Sequence, residues 1–481
     1  MKSRYFIYKT CLMVNVLLIM VSFNSCEKLV EVNAPVTSTN ALNVFANDAT
    51  AIAVLTGIYT NMSATGNDLS GGFTNISTMA GLSADEFELY GGVSNASQTA
   101  YYTNSLSSKL GGYEYWNIIY PYIFKINSAI EGLNSSTGLT FGVKQQLIGE
   151  AKFMRALFYF YLTNLYNDVP LVTTTDYKEN KGLSRTSSTT IYQQIITDLK
   201  DAQNLLSNNY LDASAIQVSS ERVRPNKSVA TALLARVYLY SGDWVNAETQ
   251  ASDVINNTKL YDTVSLDNVF LKNSIEAIWQ LQPVKAGQNT DDAIRFIIPS
   301  NGPSNDYPVY LSNNILNSFE PGDLRKSKWI DSVVPAIPGN VAYYFPYKYK
   351  ATFTSGASTE YLMIFRLAEQ YLIRSEARAK QNNISGAQSD LNIIRFRAGL
   401  PTTAANDKES LISAILHERQ VELFSEWGHR WLDLKRANKV DDVMAVVAPQ
   451  KGGTWNTNWK YYPIPLTDIQ MDLNLKQNPG Y

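Results

Sequence analysis

The stretch N406-DKESLISAILHERQVELFSEWGHRWLDLKRAN-K439 decides how the rest of the chain is read. Asn406 or Asp407 supplies an N-cap, and Leu411, Ile412, Ile415, Leu416, Leu423 and Phe424 recur at helical spacing on one face. Glu418, Arg419, Glu422 and Glu426, followed by Arg430, Asp433 and Arg436, sit at separations that allow i,i+3 and i,i+4 ion pairs. Trp427 and Trp431 are expected to pack.

Working toward the N-terminus, two segments read as one repeated helical hairpin. In "NKSVATALLARVYLYSGDWVNAETQASDVI", Ala235 is followed twelve residues later by Ala247, across the turn Ser241-Gly242-Asp243. "YLIRSEARAKQNNISGAQSDLNIIR" repeats that spacing with Ser375 and Ala387 around Ser385-Gly386. Small residues at such places let paired helices approach closely, the packing logic of tetratricopeptide repeats. "QQLIGEAKFMRALFYFYLTNLYNDVPLV" is apolar nearly all round from Phe153 to Leu162 and predicts a helix buried on most sides, ended by Asn167, Asp168 and Pro170. Glu150, Lys152 and Arg155 within it need partners or exposed tips. Residues 63–112 are rich in Gly, Ser, Asn and Thr. Residues 257–360 carry strand-like pieces, "EAIWQLQPV" and "YFPYKYKATF", among Pro, Gly and Asn. Together these predict a mainly α fold, a tetratricopeptide-like helical hairpin scaffold (about 145–256 and 361–437) bearing an irregular loop-rich layer (about 63–112 and 257–360) with a few short β-strands.

At the other end, Lys2, Arg4 and Lys9 precede an apolar run from Cys11 to Phe23, the layout of a secretory signal. Residues 1–25 therefore read as a signal peptide, and Phe23-Asn24-Ser25-Cys26 resembles a bacterial lipoprotein box, with Cys26 lipidated and residues 26–40 as its tether. Removal of the leader takes Cys11 with it, so the remaining chain cannot form an internal disulfide. The core must supply the stability, and a composition 45% hydrophobic and 12% aromatic allows it. Acidic residues outnumber basic ones, 43 to 41, and no basic block occurs. Nucleic-acid binding has nothing to recommend it.

"LHERQVELFSEWGHRWLDLKRANK" resembles the C-terminal signature of the SusD/RagB-like family of Bacteroidetes outer-membrane lipoproteins, an ER..EL..E..RW.DL.R pattern. "GEAKFMRALFYFYLTNLYNDVPLV" resembles that family's buried helix with its G-D-V-P-L ending, here with Asn167 in the glycine position. The first hairpin, "FRLAEQYLIRSEARA" and the closing "YYPIPLTDIQMDLNLKQNPGY" fall in the family's order, so 41–481 reads as one SusD-like domain. The resemblance implies a non-catalytic, lipid-anchored surface protein that captures a glycan and passes it to a SusC-like TonB-dependent β-barrel transporter. Peptide or other nutrient capture by the same kind of complex, and a protein-binding repeat scaffold, remain alternatives.

Sugar rings present apolar C–H faces, which aromatic side chains meet, and polar rims, which Asp, Asn, Arg and Lys side chains meet. The early layer offers Asp85, Glu86, Tyr90, Asn95, Tyr101 and Tyr102, and the later layer Tyr307, Tyr310, Trp329, Tyr343 and Tyr344. A glycosidase needs two carboxylates roughly 5 to 9.5 Å apart, and Glu418 with Glu422 could approach that. Arginines close in sequence would lower their pKa, the wrong direction for a general acid. His417 and His429 form no H-E-x-x-H pattern, and neither a phosphate loop nor a nucleophile elbow occurs. No enzyme activity, metal or cofactor is expected.

Overall fold

Helix Phe141–Tyr166 buries every residue from Phe153 to Thr163, as its all-round apolar sequence requires. The computed structural model describes residues 44–63, 75–336 and 341–481. The leader, Cys26, its tether and, from the expected loop-rich layer, residues 64–74 and 337–340 lie outside the described residues. From Phe45 onward the chain forms one unit. The long helix packs between Glu114–Ser135 and Ser188–Leu205. It stops at Asn167, whose φ of 65° explains why glycine suits this position and why asparagine can replace it.

Its charged groups are all engaged. Glu150 accepts two bonds from Arg224, at 2.7 and 2.8 Å, and one from the Tyr59 hydroxyl at 2.8 Å. Arg155 grips Asp198 with two bonds of 2.8 and 2.7 Å, and Lys152 pairs with Asp201.

Six helices then stack in sequence order, each against the next: Ser188–Leu205, Lys227–Ser241, Trp244–Ile255, Leu367–Lys380, Ile384–Arg397 and Lys408–Glu422. In the first hairpin Gly242 takes the left-handed cap at φ 77°, and Asp243 accepts the Asn246 N–H at 3.2 Å. Ala235 and Ala247 are fully buried where the two helices meet. The second hairpin turns earlier than its sequence suggests. Asn382 has φ 63° and Asn383 caps the next helix through the Gly386 N–H at 3.1 Å, so Ser385 and Gly386 lie inside that helix.

The intervening layer holds three two-stranded antiparallel sheets: β1 (Phe87–Leu89) with β3 (Val309–Leu311), β2 (Ala277–Leu281) with β6 (Leu362–Arg366), and β4 (Ile330–Val333) with β5 (Tyr343–Pro346). β2 and β6 are buried throughout and seat the layer on the scaffold. Of "YFPYKYKATF", only Tyr344–Pro346 is strand.

The signature itself is two helices, not one. Lys408–Glu422, capped by Asp407 through the Ser410 N–H at 2.9 Å, ends in a turn with positive φ at Ser425, Trp427 and Gly428 before His429–Arg436 begins. A Cβ on Gly428 would meet that of Ala80 at 2.7 Å, so glycine admits helix Ile76–Ser83 against this turn. Trp427 and Trp431 are core residues, as expected.

Candidate ligand-binding platform

The short β1–β3 pair carries the most ligand-like arrangement on the layer. Phe87 points inward and stacks on Phe296 at 5.3 Å, so strand alternation turns its neighbour Glu88 the other way, opposite Tyr310. The pairing continues one residue further, with the Tyr90 N–H donating to the Pro308 carbonyl at 2.8 Å. Tyr102, at the end of helix Ala96–Tyr102, donates its hydroxyl to Glu88 Oε2. β5 brings Tyr343 edge-on to Tyr310, with ring centroids 5.1 Å apart at 84°.

Tyr90, Tyr102, Tyr307, Tyr310 and Tyr343 are half-buried, and Tyr344 is 42% exposed. Burial raises the pKa of Tyr310, reinforced by Glu88 and Tyr343, and burial also raises that of Tyr102, reinforced by its bond to Glu88. Both phenols stay protonated donors. Gly92 admits the Tyr90 ring: a Cβ there would lie 2.7 Å from it.

Four of the residues picked from sequence face the wrong way. Trp329 is fully buried, donates Nε1–H to the Leu266 carbonyl at 3.0 Å and meets Phe270 edge-on, so it is core and offers no stacking face. Tyr101 is adjacent to Tyr102 on one helix, and about 100° of rotation sends it inward to bond Glu114 at 2.7 Å. Asp85 is held by Arg430 through two bonds of 2.7 Å. Glu86 lies under the signature turn and accepts the Ser425 N–H at 3.2 Å. Burial, with Asp85 beside it, pushes the Glu86 pKa up to about 8. Asn95 spends its side chain capping the Ala96–Tyr102 helix, accepting from Ser97 N–H and Gln98 N–H.

Glu88 went unnoticed in the sequence, where Asp85 and Glu86 drew the attention. Its signal is the alternation that begins at Phe87: once Phe87 is inside a strand, Glu88 is outside.

The carboxylates considered for catalysis are locked in the interior. Glu422 is bound by Arg325, Arg366 and Arg397. Burial alone would raise its pKa, but those three guanidinium groups override it and hold it far below the carboxylate range. Glu418 contacts Arg325 at 2.6 Å, yet burial outweighs the arginines and its pKa rises. The arginines close in sequence are engaged elsewhere: Arg419 with Asp433, Arg430 with Asp85, and Arg436 with Glu376 and Asp433. His429 is buried, and the His417 ring meets the Ser318 carbonyl. Among the described residues no group of His, Cys, Asp and Glu could hold a metal ion.

A separate cavity of 320 Å³, mostly apolar, lies between helix Asp48–Ser63, β2 and the 211–224 loop, with Tyr59, Leu211, Val223 and Leu281 in its wall. None of the aromatic residues picked from the layer lines it.

Comparison with known proteins matches both ends of the chain. Residues 335–481 match the sequence profile of the SusD family, and residues 36–239 match a SusD-like profile described as starch-binding associating with outer membrane. A SusD-like protein of Formosa agariphila is 25% identical over 422 residues, 76% of this chain and 80% of the relative. The starch-binding protein SusD of Bacteroides thetaiotaomicron is 33% identical over 123 residues, 24% of this chain and 21% of its own length. The fold superposes on a SusD superfamily protein from Bacteroides vulgatus with a TM-score of 0.75 at 20% identity, covering 90% of this chain and 99% of that one. A laminarin-binding SusD-like protein gives 0.72 at 24% identity, covering 91% and 100%. With both profiles in chain order and the same helical scaffold, this chain belongs to the SusD/RagB-like family.

Proposed function

We propose that this protein captures a glycan on the tyrosine platform and delivers it to a SusC-like TonB-dependent transporter at the outer membrane. The observation that carries this reading is the perpendicular Tyr310–Tyr343 pair, half-exposed beside Glu88 and Tyr102. Perpendicular rings give a sugar a floor and a wall, while the phenols and the carboxylate meet its hydroxyls. Support comes from the family description, from the starch-binding relative and from the laminarin-binding neighbour. The protein acts as a binding subunit and leaves the glycosidic bond intact. Cys26, lipidated after removal of residues 1–25, anchors it at the cell surface. Several acyl chains hold durably, because each buried methylene contributes about 0.8 kcal/mol.

Calorimetric titration of residues 27–481 against laminarin, starch and a panel of plant, host and microbial polysaccharides tests the reading, with newly released reducing ends assayed afterwards. Binding without release, lost in Tyr310→Ala, is the expected result. Release in independent preparations would reinstate an enzyme, and silence across the panel would favour peptide capture or a site completed by the transporter. Cys26→Ala should yield exported protein that no longer sediments with membranes.

A further inference from the structure

All the charge the platform presents has one sign. Segments 87–102, 304–311 and 341–346 contain Glu88 and Asp306 and neither a lysine nor an arginine. Asp306 belongs to the same surface because the Ser94 N–H and hydroxyl reach Asn305 Oδ1 at 2.9 and 3.2 Å, drawing the 304–307 turn against the Tyr90 loop. Glu88 forms no ion pair with any described residue; its partner is the neutral Tyr102 hydroxyl.

Two cations nearby have their hydrogen bonds spent elsewhere, although buried Lys451 lies close enough to feel the charge of Glu88. Lys451 is buried on the Tyr102 ring, 5.2 Å from its centroid, and donates to the carbonyls of Leu82 and Ala84. Arg430 is committed to Asp85. An anion on the tyrosines would therefore meet a half-desolvated carboxylate with no basic donor to compensate, whereas a hydroxyl could donate to that carboxylate.

We infer that the platform selects uncharged glycans over those bearing uronate or sulfate groups, with Glu88 as the discriminating residue. This rests on the platform being the glycan site. A like charge brought within several ångströms of Glu88 should weaken binding about tenfold or more at low salt.

The test is calorimetry on residues 27–481 with matched polymers, laminarin against laminarin sulfate and starch against carboxymethyl starch, at low and at raised salt, repeated with Glu88→Gln. Glutamine keeps an acceptor for Tyr102, so the platform persists. The neutral member should bind, and its charged partner should bind about tenfold or more weaker at low salt. That gap should narrow as salt screens the repulsion, and Glu88→Gln should weaken the neutral polymer while strengthening the charged one. Equal or tighter binding of the charged member overturns the inference and leaves glycan capture standing. So does a gap that neither salt nor Glu88→Gln alters. If no member of either pair binds, or if the neutral members bind and Tyr310→Ala leaves their affinity unchanged, glycan capture on this platform fails and the inference fails with it.

Discussion

The guanidinium of Arg366 meets the carboxylate of Glu422 at 2.5 Å, joining the end of β6 to the last turn of the Lys408–Glu422 helix. Arg366 also reaches Glu426 at 2.9 Å, and Arg325 and Arg397 approach Glu422 from the 324–328 and 384–397 helices. Lys348 completes the cluster, bonding Glu426 at 2.5 Å and the carbonyls of Glu422 and Phe424 at 2.8 Å. This buried cluster joins the loop layer to the scaffold. Such a cluster holds when every member is paired and fails when one is removed.

Glu422→Gln should therefore destabilise the protein by about 3–5 kcal/mol, because it leaves three buried guanidinium groups short of a counter-charge. Urea unfolding followed by circular dichroism measures this. A change under 1 kcal/mol would show that the cluster gains no more than a surface ion pair.

Trp329 and Tyr310 should behave oppositely although both are aromatic residues of the later layer. Trp329→Ala empties a fully buried indole site and should cost about 3–5 kcal/mol of stability. Tyr310→Ala should leave the unfolding midpoint nearly in place and weaken glycan binding by about 1–3 kcal/mol. Melting curves and calorimetry on the two variants separate core from platform.

Gly92→Ala places a methyl group where the Tyr90 ring lies, 2.7 Å away, and the ring must rotate to accommodate it. Unchanged stability with several-fold weaker ligand binding is the expected pair of readings. Unaltered affinity would remove Tyr90 from the platform.

Glu86 gives the pH dependence a sign. Its folded-state pKa is raised to about 8 by burial and by Asp85, above its unfolded value, so the folded protein holds a proton that the unfolded chain has lost. Its contribution is fully present below the unfolded pKa, about 4.3, and is lost as pH rises through about 8. Glu86→Gln, which still offers an acceptor to the Ser425 N–H, should flatten the fall in unfolding free energy between about pH 5 and pH 8. A slope identical to that of the unaltered protein would show that Glu86 ionises alike in both states.

Local pattern was enough where one element decides the outcome by itself. The run Phe153–Leu162, apolar but for Arg155, predicted a helix buried on most sides, and it is one. The twelve-residue spacing of Ser375 and Ala387 placed two residues that now touch, with the Ser375 hydroxyl donating to the Ala387 carbonyl at 2.7 Å. Charge partners were a different matter. The signature's carboxylates and arginines are spaced for local pairing, yet Asp433–Arg436 is the one i,i+3 pair among them; Arg419 crosses the turn to Asp433, and the others reach to residues such as Asp85, Arg366 and Glu376.

The platform shows the same division. Composition located the aromatic layer, but Tyr101 and Tyr102 are alike in type and adjacent in sequence, and helix rotation alone turns one inward and leaves the other beside Glu88. Periodicity determined the helical hairpins, because helical spacing is a property of neighbours along the chain. Which tyrosines face solvent, which carboxylate stands among them and which cations are spent elsewhere depend on contacts between segments some two hundred residues apart, such as Glu88 opposite Tyr310. Those contacts form only when the scaffold folds.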